Sequence, residues 1–592
     1  MHGYNQQIAR IDLTSGHIHT DSPDEDFYRQ YLGGRGFIIH TLMKDMPANM
    51  DPLGPENRLV FALGPLTGHF FVGSGRHSVG SKSPLTGAYG ESEAGGYWGA
   101  ELKRAGYDAL IFKGTAAKPV YLWIDNGKIE ICDASFLWGL EVAEAHHRIL
   151  ERHGGGKIRT ALIGPAGEKK VNFACILHDI THAAGRTGMG AVMGSKNLKA
   201  IAVKGDRLPA PFDRKQLVKL NKIMLKGYKE RTKLWQFGTG SMMEAGEKSG
   251  NLPIRNFKGG RFPGVAKIIP QIICANYLEK MGSCFGCPIR CKRVARLEEP
   301  YTVDPIYGCP EYETLGSFGS NCGIDDLPAV MKANELCNRN GLDTLSTGGV
   351  IAFAMECFEK RLLTIQDTGG LELSFGNADA MLALVEQIAT ATGLGALLAK
   401  GTRYAARKIG KGAERYAMQV KGEEIPMHEP RFRQLLSVHY SIHATGADHG
   451  TGPHEPVPIQ EGCEQEILEK SFPSQLVNTL GLCKFVPWEK DEVRAALKYV
   501  TGWQVSEEEL KKVVDRGVTL TQLFNLREGL TPADYKLPQR FSKSPAEGAL
   551  RGIDPVQFEI VQKAYYRLLG WDENGVPTRQ KLKDLDIMWA GT

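Results

Sequence analysis

Three closely spaced cysteines are the residues of this sequence that most directly suggest chemistry. The segment GSCFGCPIRCKR separates Cys284, Cys287 and Cys291 by two and three residues. Thiolates gathered within one loop and one helical turn can bind a cubane iron–sulfur cluster, which needs a fourth ligand from elsewhere in the chain. A structural zinc ion is the alternative that this motif leaves open.

Nine further cysteines could supply the fourth ligand. Most lie in apolar stretches, where a buried and inert thiol is the usual state, and Cys322 in GSNCGI is interpreted in the same way. Cys483 differs because it lies two residues after the turn former Gly481 in NTLGLCKF. The spacing leaves open whether Cys483 joins the three clustered cysteines or is one more buried thiol.

The segments at 338–344 and 478–484 follow one pattern, N-x-x-G-L-[DC]-x. A helix that ends at glycine exposes its last carbonyls, and the polar side chain that follows, to whatever lies beyond. The two segments could therefore hold two halves of a pseudo-symmetric ligand. A pair of ordinary glycine helix caps is the alternative interpretation.

Glycine is concentrated before residue 210, most of all in the segment 64–108, which holds eleven glycines, and again in the segment 182–205. Glycine-rich turns that lead into a helix present several backbone N–H groups together, which is how proteins bind phosphates. Positive charge could come from Arg76, Lys82, Arg186 and Lys196. Neither segment matches a nucleotide-binding P-loop or a clean G-x-G-x-x-G pattern, so a standard adenine nucleotide site is not expected.

Composition and charge exclude several classes of function. The net charge of +5 is small for 592 residues and is spread along the chain, which argues against nucleic acid as the partner. The first residues lack an apolar export signal, and no apolar stretch reaches the roughly 18 residues of a membrane span. We therefore expect a cytoplasmic protein whose 12 cysteines are thiols and metal ligands.

The pattern of apolar residues changes along the chain. Short apolar runs separated by Gly, Pro, Ser and Asn predict a β-rich domain at 1–208, with a hairpin turn at 125–127. Apolar residues at helical spacing predict a mainly helical domain at 209–412 and a second one at 413–592.

Taken together, the motifs resemble the aldehyde:ferredoxin oxidoreductase family, whose members carry tungsten on two pterin dithiolenes. The shared segments follow one order, from YLGGRG through SPLTG, GGYWGAELK, AGRTGMGAVMGSKNLKAI, CFGCPIRC, PEYET, GADH and GLCK to NLREG. The resemblance implies an α+β fold in which two N-terminal β-sheets form a base for the cofactor. Two mainly α-helical domains would cover this base, so that the cofactor is buried between them.

The resemblance also implies roles for individual residues. It makes Cys284, Cys287, Cys291 and Cys483 the ligands of one [4Fe–4S] cluster. In PEYET and GADH, Glu313 matches the carboxylate beside the metal and His449 matches the imidazole that faces the substrate. Further matches contact the two pterins, their phosphates and the Mg²⁺ that bridges the phosphates. These are Arg76, Glu93, Gly95, Gly96, Ala183, Gly185, Arg186, Asn338, Leu342, Asp343, Asn478, Leu482 and Lys484.

The sequence departs from the family pattern at four positions. Asn338 and Asn478 stand where Asp is common, Glu93 where Asn is common, and His182 where Arg is common. We do not assign any residues of this sequence to the metal-binding pair through which the subunits of some relatives are joined. The expected oligomer is therefore not predicted to depend on that bridge.

The activity that the resemblance implies is oxidation of an aldehyde to a carboxylic acid with water. His449 would polarise the carbonyl, and Glu313 would accept a proton. A water-poor pocket would suit this role of Glu313 by raising its pKa. The electrons would leave singly through the cluster to ferredoxin, or to dedicated iron–sulfur and flavin subunits. His428, His443 and Glu311 could line the pocket, although ordinary loop roles are favoured.

Three other functions are kept as alternatives. A member of the same family could reduce carboxylates or aromatic thioesters. A non-catalytic iron–sulfur electron carrier would hold a cluster but no tungsten, and a zinc-stapled scaffold would hold neither.

Overall fold

The computed structural model describes residues 1–553 and 558–591. Two six-stranded β-sheets are built from its first 204 residues. The first sheet, in the order β2-β1-β6-β3-β4-β5, contains β1 (Ile8–Asp12), β2 (His17–Asp21), β3 (Leu59–Leu63), β4 (His77–Lys82), β5 (Tyr89–Ala94) and β6 (Ala109–Lys113). The second sheet, in the order β11-β10-β9-β12-β7-β8, contains β7 (Val120–Asp125), β8 (Lys128–Asp133), β9 (Arg159–Leu162), β10 (Ile176–His178), β11 (His182–Ala184) and β12 (Leu198–Lys204).

Both sheets are mostly antiparallel, with one parallel pair each, β1 with β6 and β7 with β12. Apolar side chains of the two sheets, such as Phe61 and Leu122, belong to one buried cluster that holds them together. The edge strands β5 and β11 lie beside each other, so the sheets meet along one border.

The turn predicted at 125–127 is confirmed. Asp125 pairs with Lys128 across a loop of two residues, and both loop residues, Asn126 and Gly127, have positive φ. Asn-Gly tolerates this conformation, which matches the twist of the two strands.

Six helices surround the sheets: α1 (Glu25–Tyr31), α2 (Arg35–Asp45), α3 (Trp98–Arg104), α4 (Val142–Arg152), α5 (Pro165–Glu168) and α6 (Met189–Ser195). The next part of the chain forms α7 (Arg214–Arg231), α8 (Leu234–Phe237), α9 (Met243–Ser249), α10 (Pro270–Asn276), α11 (Tyr312–Thr314), α12 (Leu327–Asn340), α13 (Thr344–Glu359), α14 (Ala378–Thr390), α15 (Gly393–Leu398) and α16 (Thr402–Ile409). The last part forms α17 (Gln434–Ile442), α18 (Cys463–Leu480), α19 (Lys490–Thr501), α20 (Glu507–Arg527), α21 (Phe558–Leu568) and α22 (Arg579–Asp584).

Short elements connect these helices. Two small hairpins are β13 (Leu278–Gly282) with β14 (Lys292–Ala295), and β15 (Gln419–Val420) with β16 (Glu423–Glu424). A π-helix covers Leu315–Ser320. The 3₁₀ turns are Pro263–Lys267, Pro305–Tyr307, Ala413–Tyr416, Pro532–Tyr535, Gln539–Ser542 and Met588–Ala590.

The helices pack as two layers over the sheets. Most of the apolar residues of α12 to α16 share one buried cluster, whereas α7, α18, α19 and α20 share another with α1 and α2. Over the described residues, no helix is long and apolar enough to cross a membrane. The predicted α+β fold with two N-terminal sheets is confirmed, and the domain borders at 208 and 412 stay a prediction.

Candidate functional site

Two helices end against the two sheets in the same way. The glycine caps of α12 and α18, Gly341 and Gly481, both have a φ of 75°. The residue after each glycine donates its backbone N–H to a carbonyl five residues earlier. Leu342 donates to Cys337 O at 2.9 Å, and Leu482 donates to Val477 O at 2.8 Å. A glycine with positive φ followed by such a bond is a usual way to end a helix.

Each helix end touches a glycine that follows a strand. A Cβ atom at Gly64 would lie 2.1 Å from the carbonyl carbon of Leu480, and one at Gly164 would lie 2.3 Å from that of Asn340. Only glycine permits backbones this close. The two segments that the sequence analysis paired are therefore held by pseudo-equivalent contacts, one on each sheet.

The residues at the sixth position of the two segments have different neighbours. The amide of Asp343 donates to Phe173 O, and its carboxylate caps α13 by accepting from the amides of Leu345 and Ser346. The amide of Cys483 donates to Gly73 O at 3.0 Å. The Cys483 thiol lies instead beside the other three predicted cluster ligands.

Four thiols from distant segments line one pocket. Cys284, Cys287 and Cys291 lie between β13 and β14, and Cys483 follows α18. All four are free thiols, and burial raises the pKa of Cys284 and brings that of Cys287 to about 11. This donor set fits a cluster with four sulfur ligands, because bound iron would hold the thiolates that burial alone disfavours.

Arg76 lines the same pocket. Its buried guanidinium contacts Cys483, and the charges of Cys483, Glu93 and Cys284 raise its pKa against the opposing effect of burial. Its Nε has no hydrogen-bond partner within the described residues. Arg76 therefore connects the thiol pocket with the space between the sheets and the helices.

Many buried polar atoms around this space lack a partner among the residues that the structure describes. They include Arg76 Nε, Ser78 Oγ, His182 Nε2, Arg186 Nε, Glu313 Oε1, Ser346 Oγ, Glu423 Oε2 and His449 Nδ1. Buried polar groups in native proteins are nearly always hydrogen-bonded. A large polar group bound here, such as a pterin cofactor with phosphates, fits this set of atoms.

Most of the residues that the resemblance matches to phosphate-binding positions lie at the border between the two sheets. At the end of β5, a Cβ at Gly95 would lie 2.9 Å from Cys284 Sγ, and one at Gly96 would lie 3.0 Å from the His182 ring. Ala183, in the facing strand β11, is exposed although both of its neighbours in the strand are buried. These residues present backbone and little side chain, as a close approach to a phosphate requires.

Glu93 and Arg186 are two ionisable residues at this border. Burial and the neighbouring Glu91 raise the pKa of Glu93 to about 8. The Nε of Arg186 lies 3.8 Å from Asp343 Oδ2 and 3.4 Å from Glu423 Oε1. Gly185 leaves room beside Asp343, since a Cβ would lie 4.0 Å from its Oδ1.

The two asparagines lie in the last turns of α12 and α18, and Lys484 follows α18. The Asn338 amide donates to Tyr307 O at 2.8 Å, so it is already engaged within the protein. Asn478 is buried beside the backbone of Gly34. Lys484 donates to the carbonyl of Gly450 at 3.0 Å, which ties the second segment to the loop that carries His449.

Glu313 and His449, the residues matched to catalytic positions, face each other. Glu313 Oε2 accepts the backbone N–H of Met427 at 2.8 Å. Its Oε1 lies 3.6 Å from His449 Nε2 and 3.4 Å from His428 Nε2. One carboxylate oxygen is therefore fixed by the backbone, while the other points toward two imidazoles.

The charges of this pair differ from the expectation. Burial would raise the pKa of Glu313, but the imidazoles of His449 and His428 and the Met427 amide outweigh it and hold the pKa at about 2. Burial lowers the pKa of His449 to about 4, against the effect of Glu313. At neutral pH Glu313 is ionised and His449 is neutral, so the raised pKa expected for Glu313 is not found.

Several site residues were missed by sequence reasoning. Glu423 and Glu424 are almost fully buried, and burial raises the pKa of Glu423 to about 8. The apolar residues on both sides of the two adjacent carboxylates, in AMQVKGEEIPM, were the signal that could have revealed them. Asp448, next to His449, was a further missed carboxylate.

His439, His443 and Asp448 come close enough together to suggest a metal site. However, the Arg35 guanidinium lies 3.2 Å from His443 Nε2. A divalent cation between these residues would be strongly repelled by this positive charge. The group is better explained as a hydrogen-bonded network, in which Thr451 donates to Asp448.

Other candidates have partners within the protein. Glu311 hydrogen-bonds Thr239 and contacts Lys292, and the thiol of Cys322 is buried and donates to Ser317 O at 3.2 Å. Lys82 pairs with Glu528, and Lys196 contacts the carbonyls of Pro55 and Gly114. His428, by contrast, lines the site.

Comparison with known families agrees with this architecture. The N-terminal domain model of the aldehyde ferredoxin oxidoreductase family matches residues 8–205, and the model of its domains 2 and 3 matches residues 216–587. The chain belongs to this family. The resemblance that the motifs indicated is thereby confirmed.

Among members of the aldehyde ferredoxin oxidoreductase family, the tungsten-containing aldehyde ferredoxin oxidoreductase of Pyrococcus furiosus is 37% identical, over 99% of both chains. The WOR-like subunit of an aliphatic sulfonate oxidoreductase from the same organism is 31% identical, over 99% of this chain and 97% of the relative. A solved structure, the active site complex BamBC of benzoyl coenzyme A reductase in complex with 1,5-dienoyl-CoA, is 26% identical with a TM-score of 0.87. The match covers 100% of this chain and 98% of that one.

Proposed function

We propose that this chain oxidises aldehydes to carboxylic acids with water at a tungsten bis-pterin centre. The two electrons would leave one at a time through a [4Fe–4S] cluster. The observation that carries the proposal is the convergence of Cys284, Cys287, Cys291 and Cys483 on one pocket beside a region rich in unpartnered polar atoms. The identity to tungsten-containing aldehyde ferredoxin oxidoreductases supports the choice of substrate and metal.

The chain's own residues would hold the cofactors in distinct ways. The four thiols would bind the cluster, Arg76 and Arg186 would neutralise pterin phosphates, and the two segments at 338–344 and 478–484 would contact one pterin each. Glu93 would lie near a bound Mg²⁺, because a cation would lower the pKa that burial raises. When bound, the tungsten centre would supply a two-electron redox change.

Glu313 and His449 would manage protons at the substrate. His449, neutral at its site, can donate one N–H to a substrate oxygen, as a carbonyl requires for polarisation. Glu313, ionised and fixed through Oε2, keeps Oε1 available to accept a proton from the attacking water. His428, 3.4 Å from the same oxygen, would hold the carboxylate in its charged state.

The partners follow from this reaction. Single electrons would pass to ferredoxin, or to a dedicated iron–sulfur subunit with a flavin subunit, in the cytoplasm. An oligomer is proposed on the family pattern.

A reductive member of the family is the second candidate. The structural likeness to a benzoyl coenzyme A reductase complex favours it, with an aromatic thioester as substrate. Dye-driven reduction of such a thioester, without aldehyde-dependent reduction of a viologen dye, would select this function.

The test combines metal analysis with one substitution. Purified chain should contain about one tungsten and about four iron atoms, and aldehydes should drive reduction of a viologen dye. Glu313→Gln should lower turnover by about 100-fold or more without loss of either metal, because proton transfer by a positioned base contributes this much. Glu359→Gln, at an exposed carboxylate at the end of α13 that pairs with Lys258, is the control that should retain activity. Unchanged turnover of Glu313→Gln would refute the role of Glu313, and iron without tungsten would support the electron-carrier alternative.

A further inference from the structure

The helix α7 carries a stripe of lysines along one face. Lys215, Lys219, Lys222, Lys226 and Lys229 follow one another at intervals of four, three, four and three residues, and all five are exposed. Residues at this spacing lie above one another on a helix. The stripe therefore runs along most of the length of α7.

The opposite face of α7 is fixed next to the thiol pocket. Leu217, Asn221 and Met224 are buried, and Asn221 Oδ1 accepts the backbone N–H of Val72 at 2.9 Å. The next residue, Gly73, lines the pocket and accepts the amide of Cys483. Two hydrogen bonds and the dipeptide Val72-Gly73 thus connect α7 with a proposed cluster ligand.

The region after α7 contacts the pocket from another side. A Cβ at Gly238 would lie 2.4 Å from Cys291 O, so the chain following α8 touches the backbone of this cysteine. Leu217 and Met224 of α7 belong to the same apolar cluster as Ile289, and Cys287, Cys291 and Cys483 pack against that cluster. The lysine stripe is therefore the outer surface of a helix whose inner surface borders the cluster site.

Fold stability does not explain this charge. The helix has seven basic residues and one acidic residue, whereas the whole chain has a net charge of only +5. Like charges at i and i+4 destabilise a helix. Within the described residues, no carboxylate forms an ion pair with any lysine of the stripe, whereas the neighbouring Arg231 is paired with Glu492. Ile223, between two of the lysines, is 54% exposed.

We propose that the outer face of α7 is the docking surface for an acidic electron-carrier protein. The proposal rests on the proposed function, because it assigns the place where electrons leave the cluster. A positive surface attracts an acidic protein and orients it before contact, which speeds association. Complexes of electron carriers are small and short-lived, so a single helix face with one exposed apolar residue suits them.

The kinetic test uses the holoenzyme with two charges reversed, Lys222→Glu and Lys226→Glu together. Aldehyde-dependent reduction is measured with a purified acidic ferredoxin and, in parallel, with a small viologen dye at low ionic strength. The KM for ferredoxin should rise about tenfold or more, because reversed charges slow the steered encounter. The rate with the dye should stay unchanged, since a small dye needs no docking surface.

The matched control reverses the same number of charges elsewhere. Arg407 and Lys408 are exposed on α16, which packs against α13 and α15 in the other helical layer. Arg407→Glu with Lys408→Glu should leave the KM for ferredoxin unchanged. An equal rise of KM in both double variants would mean that only net charge matters, and it would overturn the docking site.

A binding measurement separates failure of this proposal from failure of the proposed function. Calorimetric titration of the holoenzyme with oxidised ferredoxin needs no substrate, so it gives a result even if aldehydes are not oxidised. The α7 variant should bind about tenfold more weakly than the wild type and the α16 variant. Equal affinity of the α7 variant, or no binding of acidic ferredoxin to the wild type, would overturn the surface. Normal binding without aldehyde-dependent dye reduction would instead refute the proposed oxidation.

Discussion

The segments at 338–344 and 478–484 share a backbone arrangement but differ in what they present to the interior. Both follow a helix that ends at a glycine, and both touch a glycine at the end of a strand. At the sixth position, Asp343 caps α13 and faces Arg186, whereas Cys483 faces three other thiols. The two segments thus share a backbone arrangement, and the side chain at the sixth position determines which neighbours each of them has.

This comparison explains how a nearly symmetric base can hold an asymmetric site. On each sheet, a helix end and the glycine that it touches form what we call a seat. The seats are Leu480 with Gly64 on the first sheet and Asn340 with Gly164 on the second. Only the seat on the first sheet adjoins the thiol pocket, so only this half would connect a pterin directly with a cluster. Under the proposed function, Cys483 would provide the asymmetry needed for electrons to leave in one direction.

Removal of the thiol should have the largest effect. Cys483→Ser should lower the iron content of the purified chain and reduce ferredoxin-dependent turnover by about 100-fold or more, because a cubane cluster needs four ligands. Iron analysis and the visible absorption of the cluster check this. The control variant Cys132→Ser changes a half-buried thiol on β8, and its iron content should equal that of the wild type. Full iron in the Cys483 variant would remove the difference between the two segments.

Acid should lower the stability of the fold through a pair of histidines that joins the two sheets. His77 of β4 and His178 of β10 meet at 3.0 Å between their Nε2 atoms. Burial lowers the pKa of His178 from 6.5 to about 4, so the unfolded chain binds this proton first. The stabilisation of the folded state by neutral, buried His178 is complete above pH 6.5. It is lost as the pH falls toward 4, which lowers the free energy of unfolding by about 3 kcal/mol.

Chemical unfolding at a series of pH values measures this loss. The stability of His178→Asn should fall less steeply between pH 6.5 and 4 than that of the wild type. Equal slopes for the two proteins would mean that another group controls the acid sensitivity.

The glycine contacts test whether the two seats are equivalent. Gly64→Ala and Gly164→Ala should each lower the free energy of unfolding by about 2–3 kcal/mol, because the added Cβ would overlap backbone atoms of α18 or α12. Gly246→Ala, inside α9 with its nearest neighbours at 3.9 Å, should be neutral or slightly stabilising. Destabilisation by only one of the two seat variants would show that the seats are not equivalent.

The smallest effect is expected at Asp343. Asp343→Ala should cost about 1 kcal/mol through loss of the cap of α13, and Asp343→Asn clearly less, since Asn also accepts from helix amides. Thermal unfolding of both variants measures the difference. If Asn costs as much as Ala, the charge facing Arg186 matters more than the cap.

Local patterns predicted the backbone well. The Asn126-Gly127 turn and the helix ends at Gly341 and Gly481 have the conformations that their sequences indicate. All four residues have positive φ, which glycine and asparagine tolerate better than other residues. The fold class followed from the change between strand and helix patterns and from the family resemblance. From spacing alone, Cys483 could not be chosen among nine cysteines, since its proximity to Cys284 depends on how distant segments pack.

Electrostatics could not be predicted in the same way. The pKa of Glu313 depends on His428 and on the Met427 amide, which lie more than one hundred residues away in sequence. Glu423 was missed because a Glu after Lys-Gly usually belongs to a solvated turn, and only the packing around Arg186 shows that it is buried. Burial of a charge is a property of the assembled layers.

The contact between Gly64 and Leu480 has a consequence for biosynthesis. It joins a residue made early in translation to one made near the end, and the seat for one half of the ligand does not exist until both are present. Domains generally begin to fold from the N-terminus while the ribosome is still at work. A cofactor that contacts this helix end could therefore bind only after residue 480 has been made, when both sheets can already have formed.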